Sequence, residues 1–211
     1  MYFTGKDLLL YAVTERYPGR DFFAQIESAL KGGVTCLQLR EKHLRQSEFI
    51  EEARIVKGLC EKYSVPLIIN DNVEVALSCG ADGVHIGQDD GSVAEVRKIV
   101  GNRLIVGVSA HNVEEALAAE KAGADYLGSG AVFGSATKSN VRLLPLETLK
   151  NICSSVKIPV VAIGGINKDN ISRLAGSGIN GVALVSAIFG SIDIETECRT
   201  LKRLAEKVAK G

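Results

Sequence analysis

The sequence predicts a single-domain α/β chain closed into a (β/α)8 TIM barrel. Three observations predict it. Eight short apolar runs recur along the 211 residues, segments of helical period separate them, and polar residues gather where the runs end. Strands alternating with helices argue for a parallel sheet. A doubly wound open sheet is the alternative arrangement. The count of eight favours closure, although the chain lies at the short end of the usual barrel range. No Pro/Gly/Ser-rich linker or long charged run divides the sequence, so residues 1–211 are read as one domain.

The runs follow in order. "LLLYAVT" begins at Leu8, "TCLQLR" at Thr35, "VPLIIND" at Val65 and "GVHIG" at Gly83. "LIVGVSA" begins at Leu104, "DYLGSG" at Asp125, "IPVVAIGG" at Ile158 and "GVALVSA" at Gly181. Their branched aliphatic content without strict alternation suits strands covered on both faces. Between the first two, Phe22, Phe23, Ile26, Ala29 and Leu30 fall on one helical face. Between the next two, Phe49, Ile50, Ala53, Val56 and Cys60 do the same. Little chain separates the third and fourth runs, so their helix must be short. Asn112 followed by Glu115 resembles a capping box before "VEEALAAEKAG", with Gly123 as the stop. Gly178 is read as ending a helix before the eighth strand.

Composition narrows the function classes. Lys plus Arg equals Asp plus Glu, 25 of each, so the chain has no general attraction for nucleic acid or membranes. The five cysteines (Cys36, Cys60, Cys79, Cys153, Cys198) are widely spaced without a Cys-x-x-Cys pair. That argues against zinc and dithiol chemistry and for small buried hydrophobes in a reducing compartment. The apolar run from Leu8 to Val13 is too short to span a bilayer, and no small-residue cleavage site follows it. A cytoplasmic location is expected.

A closed barrel would bring the carboxyl ends of all eight strands to one rim, where barrel active sites lie. The residues there are Gln38, Arg40 and Lys42; Asn70 and Asp71; Gln88, Asp89 and Asp90; and Ser109. Ser135, Thr137 and Lys138, then Gly164 and Gly165, then Val185 and Ser186 complete the rim. Any one of these ends could be a turn, since Asn, Asp, Ser and Gly favour turns. Arg and Lys do not serve turn geometry. Loops after the seventh and eighth strands commonly bind phosphate, which Gly164–Gly165 and Val185–Ile188 would serve. Across the rim, Asp71 and Asp90 are hard oxygen donors suited to Mg²⁺. Arg40, Lys42 and Lys138 with one Mg²⁺ roughly offset those carboxylates plus a diphosphate of about −3.

These residues sit in familiar surroundings. "QLREK" (Gln38–Lys42), "IND" (Ile69–Asp71), "ADGVHIGQDD" (Ala81–Asp90) and "GVSAHN" (Gly107–Asn112) closely resemble the thiamine phosphate synthase family. So do "TK" (Thr137–Lys138), "VVAIGGI" (Val160–Ile166) and "GVALVSAI" (Gly181–Ile188), in the same order over nearly the whole chain. The resemblance implies a short (β/α)8 barrel and a Mg²⁺-dependent transferase. Such an enzyme condenses 4-amino-2-methyl-5-(diphosphooxymethyl)pyrimidine with 4-methyl-5-(2-phosphoethyl)thiazole, or its carboxylated form. Thiamine phosphate forms and pyrophosphate leaves. By matching position, the resemblance implies that Gln38, Leu39, Arg40, Glu41, Lys42, Asn70, Ser109 and Lys138 hold the pyrimidine diphosphate. Arg40, Lys42, Ser109 and Lys138 form the implied catalytic set. Asp71 and Asp90 are the implied Mg²⁺ ligands. Ser135, Ala136, Thr137, Gly165, Val185 and Ser186 are implied to hold the thiazole phosphate. The implied partners are these two small molecules, and self-association into a homo-oligomer is left open.

The sequence departs from the family in places. The family often has Pro at the positions of Ala131 and Gly134, and Thr at that of Ser135; it usually has Gly where Leu146 aligns. A His at the place of His111 occurs in a related branch that tautomerises the thiazole. A non-enzymatic phosphate-binding barrel is a third reading, prompted by the altered loop. His111 is read chiefly as a rim or turn residue, His85 as a hydrogen-bonded core residue within "GVHIG", and His43 as loop surface.

Overall fold

In the first strand, β1 (Leu10–Val13), every residue is buried. Its side chains nevertheless enter two different cores. Leu10 and Ala12 join the large apolar layer between sheet and helices, whereas Tyr11 and Val13 join a smaller cluster with Cys36, Ile68, Tyr126, Val161 and Ala183. This alternation follows from the two-residue period of a strand. It puts one side-chain set inside the barrel and the other beneath the helices.

The structure is a computed structural model that describes residues 3–88, 91–134 and 143–209. The remaining strands are β2 (Cys36–Leu39), β3 (Leu67–Asn70), β4 (Gly83–Ile86), β5 (Ile105–Ser109), β6 (Tyr126–Gly130), β7 (Val160–Ile163) and β8 (Gly181–Leu184). Each pairs in parallel with the next, and β8 returns to β1 through Leu10–Val182, Tyr11–Ala183 and Ala12–Leu184. The closed alternative is therefore the one adopted.

Around the barrel run α1 (Phe22–Lys31), α2 (Gln46–Lys62), α3 (Val73–Cys79), α4 (Val93–Val100), α5 (Val113–Lys121), α6 (Leu146–Ser155), α7 (Ser186–Phe189) and α8 (Ile194–Val208). Local chemistry sets their starts: Asp21, Asn72, Ser92, Asn112 and Asp193 each accept a backbone N–H of their own first turn. The helix between β3 and β4 is short, as expected, at 7 residues. Gly123, at φ +98°, follows the end of α5.

One element differs from the sequence reading. Before β8 the chain makes only a 3-10 turn, Ile171–Leu174, in place of the expected helix. Asn170 Oδ1 accepts the Asn167 N–H at 2.9 Å and Asn167 Oδ1 accepts the Asp169 N–H at 2.9 Å, side-chain bonds that open the turn. Gly176 and Gly178, both at positive φ, then turn the chain.

Cys36, Cys60, Cys79 and Cys198 are buried and Cys153 is half-buried, all as free thiols. Burial pushes Cys60 and Cys198 up to about 12, so they pack as hydrophobes and are not thiolates near neutral pH. Among the described residues no helix is long and apolar enough to cross a membrane.

Candidate active site at the carboxyl rim

The rim is best built from β3. The strand ends at Asn70, and Asp71 follows with φ +63° while its N–H still bonds the His85 carbonyl of β4 at 2.8 Å. A left-handed non-glycine is uncommon, and Asp is among the few residues that tolerate it. The abrupt turn sends the Asp71 carboxylate to Lys42, whose Nζ lies 2.6 Å from Asp71 Oδ2. Lys42 comes from the segment after β2, so two neighbouring strand ends supply an acid and a base at one point. Both side chains keep solvent access, at 46% for Lys42 and 26% for Asp71.

The rest of "QLREK" divides by direction. Gln38 is buried inside the barrel and its Nε2 donates to the Tyr11 hydroxyl at 2.8 Å. Leu39 points outward into the layer under the helices. The Arg40 N–H donates to Thr14 Oγ1 at 2.9 Å, which ties this segment to the end of β1. Glu41 turns to Arg16, at 2.9 Å from its Nε, and Arg16 also pairs with Glu52. Burial raises the Glu52 carboxyl above its usual range despite Arg16. Leu39 and Glu41 thus help to fix the segment, Gln38 lies inside the barrel, and Lys42 reaches the Asp71 carboxylate.

Ser109 closes β5, with its Oγ 3.1 Å from His85 Nε2 and its carbonyl accepting from Gln88 Nε2. His85 Nδ1 lies 3.0 Å from the Tyr126 hydroxyl, which lies 2.7 Å from that of Tyr11. His85 is therefore hydrogen-bonded, as expected from sequence, but half-buried and not part of the fully buried core. Tyr11 and Tyr126 were not among the sequence candidates. Their signal was a phenol at an inward register position within an otherwise apolar run.

At the other side, Gly164 and Gly165 follow β7 at φ +101° and +65°. A Cβ on Gly165 would sit 2.7 Å from the Phe133 carbonyl oxygen, so only glycine lets the two loops meet. Asn170 Nδ2 donates to the Gly165 carbonyl at 2.9 Å. The β7–β8 register pairs Ile163 with Ala183, so Gly165 and Val185 each lie two residues beyond it. Val185 precedes α7, and Ser186 opens it with an exposed side chain. Leu146, where the family usually has Gly, is the first residue of α6 and packs against the core. Gly134 takes φ +89°, which the Pro common in the family could not adopt.

His111 lies just before α5, its Nδ1 3.0 Å from Glu115 Oε2 and its N–H donating to the same oxygen at 2.8 Å. Burial alone would raise the Glu115 carboxyl, but the His111 backbone and ring bonds outweigh it and lower it. His111 thus serves the start of a helix. Asp90, Ser135, Ala136, Thr137 and Lys138 lie outside the described residues. Of the two implied metal ligands Asp71 alone is described; its partly exposed carboxylate at a sharp strand end is a donor that fits a hard divalent cation. Among the described residues no group of three or more His, Cys, Asp or Glu gathers as a metal site.

Comparison with known proteins places this rim in context. A family model described as thiamine monophosphate synthase matches residues 10–188. A thiamine-phosphate synthase of Clostridium acetobutylicum is 46% identical over 95% of this chain and 96% of its own length. One from Fusobacterium nucleatum is 44% identical over 98% of both. The solved thiamine phosphate pyrophosphorylase of Pyrococcus furiosus superposes with a TM-score of 0.90 at 39% identity, covering 97% of this chain and 98% of that one.

Proposed function

Because the chain belongs to the thiamine monophosphate synthase family, we propose that its carboxyl rim joins a pyrimidine diphosphate to a thiazole phosphate. The enzyme is then a transferase that forms thiamine phosphate and acts on small molecules. The bond between the pyrimidine methylene carbon and the diphosphate oxygen breaks, and its electron pair leaves with pyrophosphate. The thiazole ring nitrogen supplies the pair for the new carbon–nitrogen bond. No protein nucleophile is needed.

The observation that carries this reading is the meeting of Lys42 with Asp71 at the end of β3, beside the segment that begins at Gln38. Arg40, Lys42 and Lys138 offset the charge that builds on the departing diphosphate. Gln38, Asn70 and Ser109 orient the pyrimidine, with Leu39 and Glu41 fixing the segment around them. Asp71 and Asp90 would hold Mg²⁺, which supplies Lewis-acid charge at the leaving group when bound. Ser135, Ala136, Thr137, Gly165, Val185 and Ser186 receive the thiazole phosphate, where positive-φ glycines let backbone approach an anion. Packing of the thiazole beside the pyrimidine excludes water from the electrophilic carbon. A cytoplasmic location suits these free thiols and charged small-molecule substrates.

The test is direct. Purified protein incubated with both substrates and Mg²⁺ is expected to release thiamine phosphate and pyrophosphate in equal amounts, and a chelator is expected to stop it. Absence of thiamine phosphate under these conditions refutes the reading.

A further inference from the structure

The two glycines after β7 have their carbonyls held by two different segments. Phe133, after β6, donates its N–H to the Gly164 carbonyl at 3.0 Å. Asn170, which opens the 3-10 turn Ile171–Leu174, donates Nδ2 to the Gly165 carbonyl at 2.9 Å. The other end of the same carboxamide is occupied as well, since Oδ1 accepts the Asn167 N–H at 2.9 Å. An N–H can meet only the amide oxygen, and a carbonyl can meet only the amide nitrogen. One orientation of the Asn170 side chain therefore satisfies both partners. Asp has no donor to offer Gly165, and Ser does not reach both groups.

A trans peptide is planar, and its N–H points away from its own carbonyl. Holding the Gly164 carbonyl therefore also sets the direction of the Gly165 N–H. Holding the Gly165 carbonyl sets that of the Ile166 N–H. Among the described residues neither of these N–H groups has an acceptor. Gly164 and Gly165 lie at φ +101° and +65°, and successive N–H groups in such turns form concavities that bind anions. Glycine is also the residue whose backbone turns most freely. The Asn170 bond is the restraint on the second peptide, as the Phe133 bond is on the first.

We propose that Asn170 is a positioning residue for the thiazole phosphate: its side-chain amide holds the Gly165–Ile166 peptide so that the Gly165 and Ile166 N–H groups meet the phosphate together. This rests on the phosphate-binding role proposed above for Gly165. Asn170 itself touches neither substrate and acts through the backbone it restrains. Its effect belongs to binding of the phosphate end, which stays remote from the carbon–nitrogen bond being made.

Initial-rate kinetics, with each substrate varied while the other and Mg²⁺ are saturating, test it. In Asn170→Ser the hydroxyl still accepts the Asn167 N–H, but the donor to Gly165 is gone. The KM for the thiazole phosphate is expected to rise roughly fivefold, in keeping with one lost hydrogen bond. The KM for the pyrimidine diphosphate and kcat are expected to change less than about twofold, as for a contact equal in ground and transition states. Asn167→Ala is the folding control: it removes the acceptor of the Asp169 N–H from the same turn and leaves the Asn170–Gly165 bond in place. It is expected to lower the melting temperature at least as far as Asn170→Ser does, with the thiazole phosphate KM within about twofold of the parent. An unchanged thiazole phosphate KM in Asn170→Ser, an equal rise for both substrates, or an equal rise in Asn167→Ala overturns the positioning role while the parent protein still makes thiamine phosphate. A parent protein that makes none refutes the underlying reading, and the positioning role with it.

Discussion

At Asp71 the backbone holds φ +63° while the carboxylate meets Lys42 at 2.6 Å. Such partly exposed pairs add only about 0–1 kcal/mol of stability, so the strained turn is better explained by the site than by the pair. Asp71→Asn keeps a residue that tolerates this φ. It is expected to lower kcat/KM on the order of a hundredfold or more while the melting temperature stays nearly unchanged. Undiminished turnover in steady-state assays would remove Asp71 from the mechanism. Glu115 makes a different case. Its folded carboxyl is lowered by the His111 bonds, so its contribution is complete above the ordinary carboxylate range and is lost as pH falls through the folded value. Glu115→Gln should therefore melt below the parent protein at pH 7, by about 1 kcal/mol as for a lost helix cap, and the gap should shrink in acid. Thermal melts across pH check this, and a constant gap would contradict it.

The loop after β7 and residues 131–134 after β6 meet through backbone contact. Phe133 donates its N–H to the Gly164 carbonyl at 3.0 Å, and Gly165 can approach Phe133 because it lacks a Cβ. Gly165→Ala adds a methyl 2.7 Å from the Phe133 carbonyl oxygen and at a φ of +65°. Initial-rate kinetics are expected to show a KM for the thiazole phosphate raised by roughly tenfold, since one such strained residue costs on the order of 1–3 kcal/mol. The KM for the pyrimidine diphosphate should move little. Equal increases in both would mean that the loops do not divide the substrates as proposed. The altered residues of this region have local reasons: Gly134 needs its positive φ, and Leu146 adds an apolar contact at the start of α6.

Across the whole molecule, closure of β8 on β1 creates two cores and covers most thiols. Cys36, Cys60 and Cys198 are inaccessible, and Cys79 is nearly so, whereas Cys153 is half-buried. A thiol reagent at mildly alkaline pH is expected to modify at most one of the five cysteines rapidly in the native protein, and all five after denaturation. Rapid native labelling of several would show that the helical layer opens more readily than its packing implies. Closure also brings separate strand ends to one rim. Gln38 and Ser109 are 71 positions apart in sequence, yet hydrogen bonds through Tyr11, Tyr126 and His85 join them.

Eight apolar runs with helical segments between them were enough to read the strands, because strands covered on both faces require continuous apolar sequence. Motif residues at the strand ends were legible for the same reason: each is local to its own run. The 3-10 turn before β8 was not, since the positive-φ glycines Gly176 and Gly178 turn the chain directly after it, which periodicity does not register. Nor was the hydrogen bonding of Tyr11 and Tyr126, because a phenol within an apolar run reads as core until its inward neighbours are known. The sequence by itself determined the alternation of elements and the chemical groups available at their ends. Only the tertiary structure decided which groups meet, because barrel closure and strand register bring distant residues within hydrogen-bonding reach.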